Sequence, residues 1–426
     1  MRVCLFEDGG VANLEPLTLT RPVFDLLCGL TSLGEKQCRH FGAGEVGVLV
    51  RPELAELYRQ ERPEVRVNDL AWLRAGPTIL VNGRWLPPAA RPADGALPCL
   101  GMVGDEAAYA VLGPDHLTSC SPNTLGDCLE TWKATLPHRP AGGVLVRHLW
   151  DVVEHNAGQI ALDFVRERAG RPSAPPRSSA PAVIGPPERL WVDPGAHVEP
   201  MTLADTTRGP VVIDREAVVA AFSRLEGPCY IGPGTQVLGA KVRSGTTLGP
   251  QCRVGGEIEA SIIQGYTNKY HDGFLGHSYL GEWINLGAGT HNSDLRNDYG
   301  PVTVVAAGRP VATGLTKVGC FLGDHTKTGL GVLLNTGTNV GAFCNLLPGG
   351  LLPKYVPSFC SWWNGALTDR ADVHRLLQTA ATVMQRRGRT LTEAHAVLVR
   401  GLFDQTAAER RQALREAELR RLRRSA

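Results

Sequence analysis

Three rhythms of apolar positions divide the chain. Over the first 170 residues they form short runs, Val3-Cys4-Leu5-Phe6, Val46-Gly47-Val48-Leu49-Val50 and Thr78-Ile79-Leu80-Val81, each stopped near Gly, Asp or Asn. Runs of that length between turn residues predict buried strands. Phe24 to Cys38 and Pro52 to Gln60 lie between them with helical spacing. Alternating strand and helix predicts an α/β domain over 1–170 with a parallel, helix-covered sheet. The stretch RPSAPPRSSAP at 171–181 has no period and reads as a linker.

Beyond it the beat changes to five or six residues: Ile231-Gly232, Val237, Val242, Leu248-Gly249, Val254-Gly255. It resumes at Leu275-Gly276, Leu280-Gly281 and Leu286-Gly287, and again at Leu322-Gly323, Thr328, Leu334, Val340-Gly341 and Leu346. Such a period fits neither a helix nor a hairpin series, and a glycine-rich sandwich would not hold three separate runs in phase. It predicts a hexapeptide-repeat parallel β-helix over 182–365, usually wound left-handed, with aliphatic residues stacked inward from coil to coil. The stretches 265–290 and 291–300 read as insertions in it. The last segment, 366–426, has helical spacing: one helix from Ala371 to Arg387, and another capped by Thr390 with Glu393 that lines up Ala394, Val397, Leu398 and Leu402.

Composition narrows the function classes. Of 426 residues, 43% are hydrophobic and 20% charged, which excludes a disordered chain and leaves room for two or three domains. The 11 cysteines are scattered without a CxxC pair, so they read as free thiols rather than a disulfide framework or zinc ribbon. A net charge of +2 gives no nucleic-acid signature for the whole chain. The tail alone carries 13 arginines against 7 acids; a nucleic-acid contact and a solvated face against a neighbouring subunit both suit that charge, and the second is the reading adopted. No run of 18 apolar residues predicts a membrane span, and Glu7 and Asp8 stand where a signal peptide needs apolar residues. The expected location is the cytoplasm.

Candidate chemistry clusters between 265 and 300. The run GHSYLG…NLGAGT…NDYG resembles the acetyltransferase half of the bifunctional N-acetylglucosamine-1-phosphate uridyltransferase/glucosamine-1-phosphate N-acetyltransferase family. Residues 13–36, NLEPLTLTRPVFDLLCGLTSLGEK, resemble a divergent sugar nucleotidyltransferase branch of it. The resemblance implies that His277 is the general base for transfer from acetyl-coenzyme A to an amino-sugar phosphate. An imidazole suits removal of an ammonium proton near neutral pH. Tyr279 and Asn297 map onto sugar-contacting positions, and Lys269 offers a point charge for the sugar phosphate. Amides of Gly287 and Gly289 are candidates for an oxyanion and coenzyme A cleft. Related acyltransferases form trimers, so a homotrimer is expected. This chain departs from the family in a GH-S-YLG spacing one residue short and in NDYG for the usual NYDG.

For the N-terminal half the resemblance implies nucleotidyl transfer, which needs cationic clamps and Mg2+ held by carboxylate. Arg21, Lys36 and Asn82 are the candidate nucleotide-binding residues, with Arg21 equally suited to a structural pair with Asp25. Relatives carry Asn-Gly-Asp where this chain reads Asn82-Gly83-Arg84, placing a cation where the metal would sit; Asp105 is the available substitute, and the metal ligand is left unassigned. Three rivals stay open: a nucleotidyltransferase with a regulatory β-helix, a hexapeptide zinc enzyme of the carbonic-anhydrase kind drawing on His271, His277 and His325, and a non-catalytic trimeric scaffold. His325 and Lys327 suit either coenzyme A phosphates or a solvated corner, and His271 with Asp272 either substrate or a turn. Trp283, Trp362 and Trp363 read as packing residues, and Asn335 and Asn339 as polar corner fillers.

Overall fold

A computed structural model describes residues 1–90, 98–168, 181–347 and 351–425. The predicted linker, apart from Pro181, lies outside the described residues. The chain divides into two compact units. The first comprises 1–14, 20–26 and 31–148; the second takes 15–19, 27–30 and everything from Leu149 onward. The helix Leu149–Glu167, which the sequence grouped with the N-terminal domain, therefore falls in the second unit.

The first unit is built on a seven-stranded sheet. Arg2–Phe6 lies between Glu45–Leu49 and Thr78–Asn82, parallel to both, as the three apolar runs predict. The sheet is not wholly parallel, however. Glu106–Leu112 runs antiparallel to both Thr78–Asn82 and Cys99–Val103. The reason is local: Cys99–Val103 turns straight into Glu106–Leu112 through Gly104 at φ +60, leaving no length for a crossover. The predicted helix Phe24 to Cys38 also starts later, at Leu33, because Ser32 and Glu35 form a capping box there. Pro52–Glu61 is helical as expected, with proline at its first turn.

The second unit is the parallel β-helix of hexapeptide repeats that the period predicts. Short strands stack in register into three faces. Along one face Ile213 meets Ile231, then Leu248, Ile263 and Leu280, and Leu280 in turn meets Leu322, followed by Val340 and Val356. All are buried and form one continuous aliphatic core. Removing this column from water is the main stabilising term of the unit, at roughly 1.5–3 kcal/mol per fully buried side chain.

The insertions differ from expectation. Residues 265–290 continue the coils: Asn268–Lys269, Phe274–Gly276 and Tyr279–Glu282 each pair in parallel with the coil before. A single excursion leaves at Asp294 and returns at Lys317, closed by a Leu295–Lys317 bridge and carrying the hairpin Thr303–Ala306/Arg309–Ala312.

One corner of the coil holds a column of residues with positive φ: Tyr266, Trp283, His325, Phe343 and Phe359. That backbone region is costly for a residue with a Cβ. Their rings stack in sequence, with centroids 4.3, 6.1, 4.7 and 5.2 Å apart. Trp283 is thus a packing residue, and His325 is a rung of this ladder rather than a solvated side chain.

The tail helices are Val373–Gln385, Glu393–Gln405 and Ala407–Ser425. The second is capped by Thr392 with His395, two residues after the predicted Thr390–Glu393 pair. Phe403 meets Phe359 edge-on, and the Arg410 guanidinium lies 4.0 Å from the Phe403 ring centre. The tail thereby caps the aromatic column. Among the described residues no helix is long and apolar enough to cross a membrane.

Candidate functional site

His277 sits at a β-helix corner with φ +47, where the coil turns from Phe274–Gly276 into Tyr279–Glu282. Its N–H donates to the Glu259 carbonyl, and its own carbonyl accepts from Gly319. The ring Nδ1 lies 2.7 Å from Oδ2 of Asp294, and each side chain keeps 13% exposure. Asp294 stands at the neck of the excursion, where its carbonyl accepts from Val318. Asn292 fixes the facing backbone by accepting from the Gly276 N–H and donating to the Gly276 carbonyl. A Cβ on Gly276 would lie 2.6 Å from the Asp294 carboxylate, so glycine before His277 is required for the pair to form.

Burial would raise the Asp294 carboxyl. The hydrogen bond and charge of His277, with Lys317, outweigh it and hold the group below the ordinary carboxylate range. An ionised Asp294 fixes the His277 tautomer with the proton on Nδ1, which leaves Nε2 able to accept a proton. Sequence reasoning missed Asp294; it lies in the singled-out HNSDLRNDYG segment, but nothing local ties it to a histidine seventeen residues earlier.

The other predicted residues of this region are placed differently. Lys269 takes the inward register position opposite Val254 and is buried, its Nζ donating to the carbonyls of Gly255 (2.8 Å) and His271 (3.1 Å). Burial pulls its pKa down to about 8, against the pull of Asp272. It is a core residue with its donors turned to backbone, not a clamp facing solvent. Tyr279 is fully buried, its hydroxyl 2.7 Å from Gln264 Oε1 and 3.0 Å from the Leu27 carbonyl, which share its single proton. The Gly287 N–H donates to Thr328 Oγ1 and the Gly289 N–H to the Asp272 carbonyl, so both proposed oxyanion donors are engaged in holding the coils together. Asn297 is exposed on the excursion.

A second site lies within the first unit. A cavity of about 430 Å3 is lined by Asp8, Gly10, Asn82, Arg84, Glu106 and Arg147, among others. Asn82 lines it, donating to Asp8 and to the Ala107 carbonyl. Arg84 is the hub. Its Nε and Nη2 donate to the two Asp8 oxygens at 2.7 and 2.6 Å, Nη2 also to Glu106 at 2.6 Å, and Nη1 to the Val146 carbonyl. Gly10 makes room, since a Cβ there would lie 2.6 Å from that guanidinium. Burial opposes ionisation of Asp8 and Glu106, yet the bonds from Arg84, with Arg147 adding to Glu106, keep both carboxyls below their usual range. Arg21 and Lys36 are buried and do not line this cavity. Arg62 and Arg21 both act electrostatically on the half-buried Asp25, which favours the structural reading of Arg21.

A divalent metal does not fit this donor set, because Arg84 already engages both carboxylates. Among the described residues no group of three His, Cys, Asp or Glu side chains converges. Asp105 does not line the cavity.

Residues 3–171 match the family model described as sugar nucleotidyl transferase. The chain is 32% identical over 161 residues to a bifunctional sugar-1-phosphate nucleotidylyltransferase/acetyltransferase of Sulfurisphaera tokodaii, an alignment covering 35% of this chain and 38% of that protein. It is 38% identical over 107 residues to the bifunctional protein GlmU of Methanocaldococcus jannaschii, covering 25% and 26%. The GlmU of Acaryochloris marina is 27% identical over 167 residues, covering 39% and 32%. The matches thus span a quarter to two fifths of these relatives' own lengths. With a nucleotidyltransferase-like sheet followed by a hexapeptide β-helix, the chain resembles the bifunctional sugar-1-phosphate nucleotidyltransferase/acetyltransferase family.

Proposed function

We propose that this protein is a transferase of sugar-nucleotide biosynthesis, whose β-helix acetylates an amino-sugar phosphate from acetyl-coenzyme A and whose N-terminal unit is a divergent sugar-1-phosphate nucleotidyltransferase domain. The observation that carries the first activity is the His277–Asp294 pair. His277 Nε2 takes the proton from the substrate ammonium, and the freed amine attacks the thioester carbonyl. As the tetrahedral intermediate collapses the carbon–sulfur bond breaks, and the proton still carried by the attacking nitrogen passes to the coenzyme A thiolate, giving the amide and the free thiol. Asp294 acts through His277 as a positioning residue and stabilises the imidazolium that forms. The donor for the oxyanion lies elsewhere than Gly287 and Gly289. We assign the protein to the cytoplasm and to a homotrimer, in which a neighbouring copy supplies further substrate contacts.

The test is release of free thiol from acetyl-coenzyme A across a panel of amino-sugar 1-phosphates, with His277→Ala alongside. Release that falls by about 10²–10⁴-fold in the variant supports the reading. No release with any sugar, or release unchanged in the variant, overturns it.

A further inference from the structure

We propose that the cavity of the first unit holds its phosphorylated ligand without a divalent cation, the guanidinium of Arg84 standing permanently where a metal would have to bind. The inference rests on the reading of that unit as a nucleotide or sugar-phosphate site. A metal bridging protein and phosphate needs carboxylate oxygens with lone pairs turned to the cavity. Here both oxygens of Asp8 receive Arg84 N–H donors, and Asp8 Oδ2 also accepts from Asn82 at 2.7 Å. One Glu106 oxygen accepts from Arg84 and the other from Arg147 at 2.7 Å. Displacing Arg84 would strand a nearly buried cation, its side chain only 4% exposed, against the Val146 carbonyl.

The same lining offers a different means of holding an anion. Arg147 reaches the cavity with 59% of its side chain exposed, and Lys133, on the helix Leu125–Thr135, also lines it. Each now pairs with an acid, Arg147 with Glu106 and Lys133 with Glu130. Those pairs are partly solvated and therefore weak, so a phosphate of two or more negative charges competes for them. Arg84 with Asp8 and Glu106 keeps one net negative charge once Arg147 turns to the ligand, so the rim cations do the recognition. The ligand class that fits is a phosphate ester bearing a nucleoside or sugar small enough for about 430 Å3.

The experiment is calorimetric titration of the whole protein with UTP, dTTP, CTP, GTP and glucosamine 1-phosphate, in Mg2+ and again in EDTA. Binding of at least one of these with affinities equal within about twofold is the expected result. An Arg147→Ala variant should weaken it about tenfold, the loss of one charge-assisted bond. Binding that needs Mg2+ overturns the inference and leaves the nucleotide reading standing; no binding in either buffer overturns that reading and the inference with it. A readout without any nucleotide is Mn2+ titration followed by its electron paramagnetic resonance. The wild-type protein should leave Mn2+ free, whereas Arg84→Asp, which exposes Asp8 and Glu106 beside a third carboxylate, should bind it. Mn2+ bound by the wild type at this site, lost in Asp8→Asn, would also overturn the inference. Should Arg84→Asp not fold, the wild-type and Asp8→Asn titrations decide alone.

Discussion

The imidazole of His277 and the carboxylate of Asp294, seventeen residues apart in sequence, meet at 2.7 Å because the chain between them completes one turn of the β-helix before leaving it. Gly276 leaves the space for that meeting. Asp294→Asn should therefore lower kcat for acetyl transfer by roughly tenfold or more with little change in KM, since an amide can present its donor to Nδ1 and favour the wrong tautomer. Gly276→Ala should do the same by displacing the carboxylate. Steady-state kinetics over a pH series checks both, and an Asp294→Asn enzyme with wild-type kcat would remove Asp294 from the mechanism.

Arg84 predicts a stability effect instead. Arg84→Met leaves Asp8 and Glu106 facing one another without their shared partner, and should cost about 2–4 kcal/mol. Both carboxyls are held below their unfolded range. Their contribution is thus present above the ordinary carboxylate pKa and is lost as pH falls through the folded-state value. Urea unfolding at pH 7 and at successive steps below the ordinary carboxylate range should show the wild type losing its advantage over Arg84→Met as the pH falls.

Lys269 carries the opposite sign of linkage. Burial lowers its pKa from 10.5 to about 8, so between those values the unfolded chain binds the extra proton and stability rises with pH. Lys269→Met should abolish that rise between about pH 8 and 10.5 in unfolding midpoints. Unchanged pH dependence would show that Lys269 does not titrate there.

Tyr279 is a packing residue in this structure, so its phenylalanine variant separates structure from substrate contact. Tyr279→Phe removes the hydroxyl that bonds Gln264 and Leu27, and should cost about 1–2 kcal/mol of stability. The KM for the amino-sugar phosphate should stay within about twofold. A tenfold rise in KM would return Tyr279 to the binding site.

The aromatic corner ties the tail to the β-helix. Phe359 is fully buried between Phe343 and Phe403, and Phe359→Ala should cost about 3–5 kcal/mol. Limited proteolysis should then cut within 373–425 faster than in the wild type.

The sequence by itself determined the β-helix and its core. A coil with one inward residue per hexapeptide is a local rule repeated, so Ile231, Leu248, Leu322 and Val340 could be read off by spacing alone. It also carried the Gly-His step at 276–277 and the Asn82-Gly83-Arg84 departure, because both are contiguous. What only the tertiary structure decided is which polar groups are already engaged. Lys269, Tyr279, Gly287 and Gly289 are indistinguishable in sequence from site residues, yet their donors are fixed by carbonyls and hydroxyls of neighbouring coils. Asp294 for His277, and Asp8 with Glu106 for Arg84, come from different coils or strands. A hydrogen bond needs about 3 Å, and where separate segments approach that closely is set by coil and strand register rather than by any local pattern.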